Sequence, residues 1–186
     1  LHLCDRRQRQ MCIRDRIRIG DFMRVYHELE PIYNKSSKVL ILGSLPSVKS
    51  REVGFYYAHP QNRFWRILES LFGVSLPDVD TKRKFLLSHG IALWDTVASC
   101  EISGSSDASI ENIEVNDLTE LLQNSQIEFV FCTGRKAYDL YQKYMKPNTN
   151  INAFLLPSPS AANAKCSLPS LVSSYQVILD CLNSVS

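Results

Sequence analysis

Lys38-Val39-Leu40-Ile41-Leu42-Gly43 is a short apolar run that ends in glycine, and it predicts a strand buried on both faces. Three further runs have the same character, at residues 91–94, 128–132 and 153–156. Segments with apolar residues at helical spacing separate most of these runs. Strands that alternate with helices in this way are typical of a parallel sheet covered on both sides. The sequence therefore predicts an α/β fold, a three-layer α/β/α sandwich with a central four-stranded, mainly parallel sheet.

The loops that follow these strands are the expected location of the functional site. In open parallel sheets, ligands bind at the carboxyl ends of the strands. We therefore expect the loops after Leu42, Leu93, Phe131 and Leu156 to converge. Residues 99–109 are polar and contain Gly and Ser, which predicts a further loop without regular structure.

Residues 1–22 differ from the rest of the chain because they have neither a hydrophobic period nor turn signals. The string at 6–16 resembles the conceptual translation of a sequencing-library adapter. We expect residues 1–22 to be a non-native or upstream segment, disordered, before a single domain at 23–186. The alternative is a basic arm that grips phosphates. The segment holds six Arg and three Asp, so it carries +3, and residues 23–186 carry −1 of the total of +2. Any nucleic-acid role must then depend on local patches.

Composition excludes several classes of function. No apolar run is long enough to span a membrane, and no leader with a cleavage site opens the chain. We therefore expect a cytoplasmic protein with no membrane partner, and a monomer. Cys100, Cys132, Cys166 and Cys181 are widely spaced without a C-x-x-C pair, which disfavours a zinc or iron–sulfur site. We expect no metal and no cofactor.

Two loops carry the residues of chemical interest. The first reads GSLPS at 43–47 and continues as FYYAHPQNRFW at 55–65, and the second reads LPSPSAAN at 156–163. The first supplies a tight turn, aromatic faces and a polar group at a helix start. The second is a small-residue loop, stiffened by proline, that can approach a phosphate backbone closely. An enzyme that holds a base extruded from DNA needs both features.

These motifs resemble the uracil-DNA glycosylase superfamily. The Gly-x-x-Pro turn at 43–46 matches its first motif, and PSPS at 157–160 resembles its second. The string AHPQNRFW at 58–65 is similar to the mismatch-specific branch. GSLPS together with LWD at 93–95, SC at 99–100 and GSSD at 104–107 is most similar to the hypoxanthine-DNA (deoxyinosine) glycosylases. The resemblance covers the chain from about residue 28 to the end.

The resemblance implies a monofunctional DNA glycosylase. Such an enzyme hydrolyses the N-glycosidic bond of deaminated bases, chiefly hypoxanthine, in base excision repair, and its partner is DNA that contains these bases. No lysine stands in a motif where a Schiff base would form, so we expect an abasic product without strand cleavage. Alternatives are a mismatch-specific uracil/thymine glycosylase, a catalytically silent module that binds damaged DNA, and a flavodoxin-like small-molecule binder.

Leu45 is the main departure from the superfamily pattern. Many members place Asp or Asn at this position to hold the attacking water, and leucine cannot do so. In the deoxyinosine branch the resemblance shifts this role to Asn62. An amide can orient a water, which suffices when the bond breaks through an oxocarbenium-like transition state. Asn62 also precedes a helix, where it would serve as an N-cap.

Five residues are candidates for substrate binding: Gly43, Ser44, Tyr57, His59 and Asp95. Gly43 and Ser44 form the first turn. Tyr57 would stack on the flipped base or pack in the interior. His59 would bond a phosphate or the leaving base, or serve as a structural hydrogen bonder. Asp95 ends the second strand and could accept the N1–H of hypoxanthine, a group that adenine lacks, or it could cap the following turn.

A second set of residues is predicted to bind DNA. Ser158 and Ser160 would contact phosphates or only cap local turns, Asn163 would reach the vacated partner base or the ribose, and Lys165 would contact a phosphate or remain a solvated charge. Small side chains at Ser160, Ala161 and Ala162 disfavour a strong wedge and indicate dependence on lesions that already weaken pairing. The predicted DNA-binding residues are Ser47, Ser158, Ser160, Asn163 and Lys165.

Overall fold

The structure is a computed structural model that describes residues 18–19, 22–103 and 110–184. The described residues divide into two compact units, one within residues 18–28 and 97–116 and the other within residues 29–96 and 117–184. Each unit holds one four-stranded sheet.

The larger unit contains the parallel sheet predicted from the sequence. Its strands are β3 (Val39–Gly43), β4 (Ile91–Asp95), β7 (Phe129–Thr133) and β8 (Ala153–Leu156), in the order β4-β3-β7-β8. All three strand pairs are parallel. Every residue of β3 is buried. Because successive side chains point to opposite faces, both faces of this strand are covered, and the predicted α/β class with its buried central strand is confirmed.

Helices connect these strands and cover the central ones, whereas Phe154 and Leu155 of the edge strand β8 are exposed. The final helix packs against the helix that begins at Phe64 and contacts β3. Their apolar faces share one core with the sheet, which includes Phe64, Trp65 and Tyr175. The helices are α1 (Val48–Val53), α2 (Phe64–Phe72), α3 (Val79–Ser88), α4 (Thr119–Gln123), α5 (Arg135–Leu140), a π-helical turn (Tyr141–Met145), α6 (Lys146–Thr149) and α7 (Leu168–Ser184).

The smaller unit holds an antiparallel sheet in the order β1-β2-β5-β6. Arg24 joins its three longer strands: its guanidinium lies 2.7 Å from Glu114 on β6, and it donates to Ser99 on β5 at 2.9 Å. Ser99 Oγ donates to Glu114 at 2.6 Å. These bonds, with the Arg24 contact, lower the pKa of Glu114. The strands are β1 (Arg18–Ile19), β2 (Phe22–Tyr26), β5 (Val97–Ser103) and β6 (Ile110–Val115).

Two sequence predictions change in this unit. The predicted loop at 99–109 is wrong over residues 99–103, which belong to β5; residues 104–109 lie outside the described residues. The strand forms because cross-strand hydrogen bonds with β2 and β6 satisfy a polar segment. Residues 18–19 and 22 fall in the segment expected to be disordered, yet they lie in strands; residues 1–17 and 20–21 are outside the described residues.

Within the described residues, no helix combines the length and the apolar character needed to cross a bilayer.

Candidate active site

The order of the parallel strands creates a crevice at their carboxyl ends. From β3 the chain passes to β4 on one side, whereas β7 and β8 follow on the other side of β3. Loops that leave neighbouring strands in opposite directions open a ligand crevice between them. The crevice therefore lies above the ends of β3 and β7, at Gly43 and Thr133.

Gly43 and Asp95 end neighbouring strands in register, and they determine the floor of this crevice. Asp95 is buried, with 4% of its surface exposed. A Cβ placed on Gly43 would lie 2.1 Å from Asp95 Oδ1 and 2.9 Å from the Tyr57 hydroxyl. Glycine is required here because a carboxylate and a phenol pass directly over its Cα. The turn is fixed by Thr96, whose N–H donates to the Gly43 carbonyl at 2.9 Å and whose hydroxyl donates to the Ser44 carbonyl at 3.3 Å.

Tyr57 is held in an uncommon backbone conformation, with φ at 52°. One face of its ring stacks on Phe64, with centroids 4.0 Å apart and planes inclined by 21°. Its hydroxyl lies 2.9 Å from Thr133 Oγ1, which donates to the Leu42 carbonyl at 3.3 Å. Since Thr133 has used its hydrogen, Tyr57 is the donor of the shorter bond. Burial, and then the Asp95 carboxylate, raise the pKa of Tyr57, so its phenol is neutral at physiological pH.

Asn62 was predicted to be the N-cap of the helix that follows, but it lies one residue before the N-cap. The helix begins at Phe64, and Arg63 occupies the N-cap position without a side-chain capping bond. The Phe64 N–H instead donates to Asn62 Oδ1 at 2.9 Å. Asn62 therefore stabilises the helix start through a turn, in place of the predicted N-cap geometry, because Arg63 already has helical φ and ψ. Its amide oxygen has a second lone pair, and its NH₂ group has two donors.

His59 is exposed, and its ring is oriented by a local bond. The Gln61 N–H donates to His59 Nδ1 at 3.2 Å, and the Asn62 N–H donates to the His59 carbonyl at 2.8 Å. A ring nitrogen that accepts a hydrogen bond carries no proton, so the hydrogen of the neutral ring is on Nε2. His59 thus fixes the turn that presents Asn62 and keeps one donor.

Residues 157–166, which we name the serine loop, follow β8. Ser158 Oγ accepts from the Ser160 N–H and Ser160 Oγ from the Ala162 N–H, each at 3.3 Å. Each hydroxyl keeps its hydrogen to donate. Asn163 Nδ2 donates to the Ser158 carbonyl at 2.9 Å, so this side chain braces the loop. Gly134, with φ at 99°, lets the loop approach β7, because a Cβ there would lie 3.2 Å from Ser158 Cβ.

Arg63 connects the two loops. Its backbone N–H donates to the Pro159 carbonyl at 3.0 Å, and its guanidinium Nη2 donates to the carbonyls of Ser160 at 2.7 Å and Asn163 at 2.9 Å. Nε also donates to Pro159 at 3.3 Å, and Nη1 donates to the Cys166 carbonyl. Neither Arg63 nor Thr133 belongs to the residues predicted from the sequence.

Two predicted DNA-binding residues lie at the margin of this arrangement. Ser47 is exposed and caps α1, where its Oγ accepts from the Ser50 N–H at 3.1 Å. Lys165 is exposed at the end of the serine loop. Among the described residues, no group of three or more His, Cys, Asp or Glu side chains is placed to hold a metal ion.

The comparisons with known proteins give the family. The model of the uracil DNA glycosylase superfamily matches residues 30–177. The chain belongs to the uracil DNA glycosylase superfamily. Two curated relatives are named hypoxanthine DNA glycosylase. The one from Methanosarcina acetivorans is 34% identical over 141 residues, which is 73% of this chain and 87% of the relative. The one from Methanosarcina barkeri is 32% identical over 140 residues, 73% of this chain and 86% of the relative.

A solved structure agrees with this assignment. The solution NMR structure of a candidate uracil DNA glycosylase from Methanosarcina acetivorans superposes with a TM-score of 0.73 at 30% identity. The match covers 85% of this chain and 98% of that chain. Leu45, in the turn that follows Gly43, is aliphatic and has no polar side-chain atom.

Proposed function

We propose that this chain is a DNA glycosylase that hydrolyses the N-glycosidic bond of hypoxanthine in DNA and leaves an abasic site. The observation that carries the proposal is the buried Asp95 carboxylate, set over Gly43 and beside Tyr57 at the crevice floor. The names of the two curated relatives support the same substrate.

Base recognition would use the two groups above Gly43. Asp95 would accept the N1–H of hypoxanthine, whereas adenine presents an unprotonated N1 that an ionised carboxylate repels. The base would stack on Tyr57 from the side opposite Phe64, because Phe64 covers the other face. The positive φ of Tyr57 is the conformational cost of presenting this ring.

Bond cleavage would need an oriented water rather than a strong base. The bond between C1′ and the base nitrogen breaks, its electron pair leaves with the base, and the sugar acquires oxocarbenium character. Asn62 would hold a water for attack at C1′ through its second oxygen lone pair. After attack the water releases its proton to solvent, and the departed base anion takes up a proton from solvent to become the neutral base. His59 Nε2–H could donate to the leaving base or to a phosphate.

DNA binding would use the serine loop. Ser158 and Ser160 have their lone pairs engaged by backbone N–H groups and their hydrogens available for phosphate oxygens. Ser47 and Lys165 would contact flanking phosphates. Asn163 already donates to Ser158, so its contribution would be to shape the loop. The small side chains at 160–162 favour lesions that weaken pairing.

The direct test uses labelled duplexes that contain a single deoxyinosine, deoxyuridine or G:T mismatch, incubated with protein and then treated with alkali. We expect cleavage at inosine after alkali, and intact strands without it. Strand cleavage without alkali or heat would contradict a monofunctional enzyme. Binding to the inosine duplex without release of base would identify a silent damage-binding module.

Asp95 provides a test of base reading. Asp95→Ala is expected to lower the single-turnover rate on deoxyinosine by about ten- to a hundredfold, because a buried charged hydrogen bond is lost. The rates on deoxyuridine and deoxyadenosine should change less, so the preference for hypoxanthine collapses. Asp95→Asn keeps the size and an acceptor oxygen and should lose less. An unchanged ratio of rates in Asp95→Ala would remove Asp95 from base reading.

A second candidate function is excision of uracil or mismatched thymine. The AHPQNRFW string at 58–65 and the description of the NMR relative favour it. The same three duplexes separate the candidates, since excision at uracil or thymine in excess of inosine selects the second. We further propose that the protein acts in the cytoplasm and as a monomer; sedimentation alone and with an inosine duplex would test the latter.

A further inference from the structure

We propose that Arg63 is a positioning residue that holds Asn62 and the serine loop in one fixed arrangement for the reaction. This inference rests on the proposed function, because it assigns to Arg63 the alignment of a water-orienting amide with a phosphate-binding loop. Its basis is the set of hydrogen bonds that connects residue 63 to four carbonyls about a hundred residues later in the chain.

Arg63 meets the serine loop through several hydrogen bonds whose directions are set by its planar side chain. Arginine has five N–H donors in a planar fork, and here the fork meets the carbonyls of Pro159, Ser160, Asn163 and Cys166. These carbonyls all belong to the serine loop, and they face inward onto one side chain. Lysine has three donors on a single nitrogen and cannot reproduce this planar set.

The position of Arg63 in the chain connects it to Asn62. It directly follows Asn62 and directly precedes Phe64, whose N–H donates to Asn62 Oδ1. The Arg63 backbone N–H also donates to the Pro159 carbonyl at 3.0 Å. The peptide that carries Asn62 is therefore fastened to the loop that carries Ser158 and Ser160. A shift of the serine loop would move the amide relative to the scissile bond.

The positive charge of Arg63 also bears on its role. All the Arg63 bonds go to neutral carbonyls, and within the described residues no carboxylate forms a salt bridge with it. Burial raises the pKa of Tyr175, and the nearby positive charge of Arg63 opposes this rise by a smaller amount. The hydrogen bonds of Arg63 shape the serine loop, and its positive charge favours the binding of phosphates there.

Tyr175 provides a matched control. Its hydroxyl donates to the Pro157 carbonyl at 2.9 Å. This bond supports the serine loop from α7 and involves neither Arg63 nor Asn62. Tyr175→Phe removes one neutral brace and no charge. A residue that only stabilises the loop should behave like Tyr175, whereas a positioning residue should act through Asn62.

The experiment measures single-turnover excision from an inosine duplex at saturating protein. The variants are Arg63→Lys, Tyr175→Phe, Asn62→Ala, and the double variant that combines Arg63→Lys with Asn62→Ala. Backbone amide exchange over residues 157–166 is measured for the same proteins. We expect Arg63→Lys to lower the saturated rate by about tenfold or more, because small misplacements of reacting groups are costly. In the Asn62→Ala background the further loss should be less than about twofold. Tyr175→Phe should raise the protein concentration needed for half-saturation and leave the saturated rate.

Each outcome decides the proposal. An unchanged saturated rate in Arg63→Lys overturns it, and so does an equal loss in both backgrounds, which would show that Arg63 does not act through Asn62. If the wild-type protein releases no hypoxanthine, the proposed function fails separately. Amide exchange then tests whether Arg63 holds the serine loop. Faster exchange confined to residues 157–166 in Arg63→Lys supports this role, and unchanged exchange overturns it.

Discussion

Replacing Asn62 with alanine is expected to lower the single-turnover rate of hypoxanthine excision by about a hundredfold or more. The amide would hold the attacking water, and Leu45 offers no polar group to replace it. The side chain also accepts the Phe64 N–H at 2.9 Å, so its removal costs about 1 kcal/mol of unfolding free energy at the helix start. The measurement is the excision rate at saturating protein, together with the unfolding transition in urea.

Asp117 offers a control for the structural part of this effect. Its Oδ1 accepts from the Thr119 N–H at 2.9 Å, which is the same two-residue spacing at the start of another helix. Asp117→Ala should lose a similar amount of stability and keep the excision rate. Asn62→Asp keeps the acceptor for Phe64 and can hold a water more firmly, so it should retain activity. Wild-type turnover by a folded Asn62→Ala protein would assign Asn62 to the helix start alone.

The parallel sheet was predictable because its strands are apolar on both faces. Val39–Gly43 and Phe129–Thr133 follow this pattern, so their runs of apolar residues are enough to identify them as buried strands. Strand β5 was missed because residues 99–103 are mostly polar. Ser99 gains its place in a strand through bonds with Arg24 and Glu114, which are distant in the sequence. Such pairing is a tertiary effect that local composition does not reveal.

The loops that form the candidate site could be predicted from the sequence, whereas most contacts between their side chains could not. Motif positions indicated Gly43, Asp95 and Tyr57, and the structure brings these three together. The positive φ of Tyr57 has no signature in an aromatic side chain. Arg63 was missed because its partners, Pro159, Ser160, Asn163 and Cys166, all lie in one loop about a hundred residues later in the chain. The sequence held one signal for Arg63. It directly precedes the apolar residues Phe64 and Trp65, and a charged side chain beside a buried helix start needs hydrogen-bond partners.

Gly43→Ala is expected to abolish most excision while leaving the fold in place. Gly43 does not have a positive φ, so alanine can adopt its backbone conformation, and space alone opposes the substitution. The new methyl group would meet Asp95 Oδ1 at 2.1 Å and the Tyr57 hydroxyl at 2.9 Å. Asp95 is short and buried, and Tyr57 is held by Phe64 and Thr133, so both groups must shift for the methyl to fit.

The expected sizes follow from that displacement. An ordinary contact requires the Asp95 oxygen to move by about 1 Å, and misplacement on this scale lowers rates by about a hundredfold. Overpacking costs about 1–3 kcal/mol of unfolding free energy. Gly73→Ala is the matched control: Gly73 has φ at 65° with nothing within 4 Å of an added Cβ. It should lose about 1–2 kcal/mol through its left-handed backbone and keep the excision rate. Equal rates in the two folded variants would mean that the spacing of Asp95 and Tyr57 above Gly43 does not control base recognition.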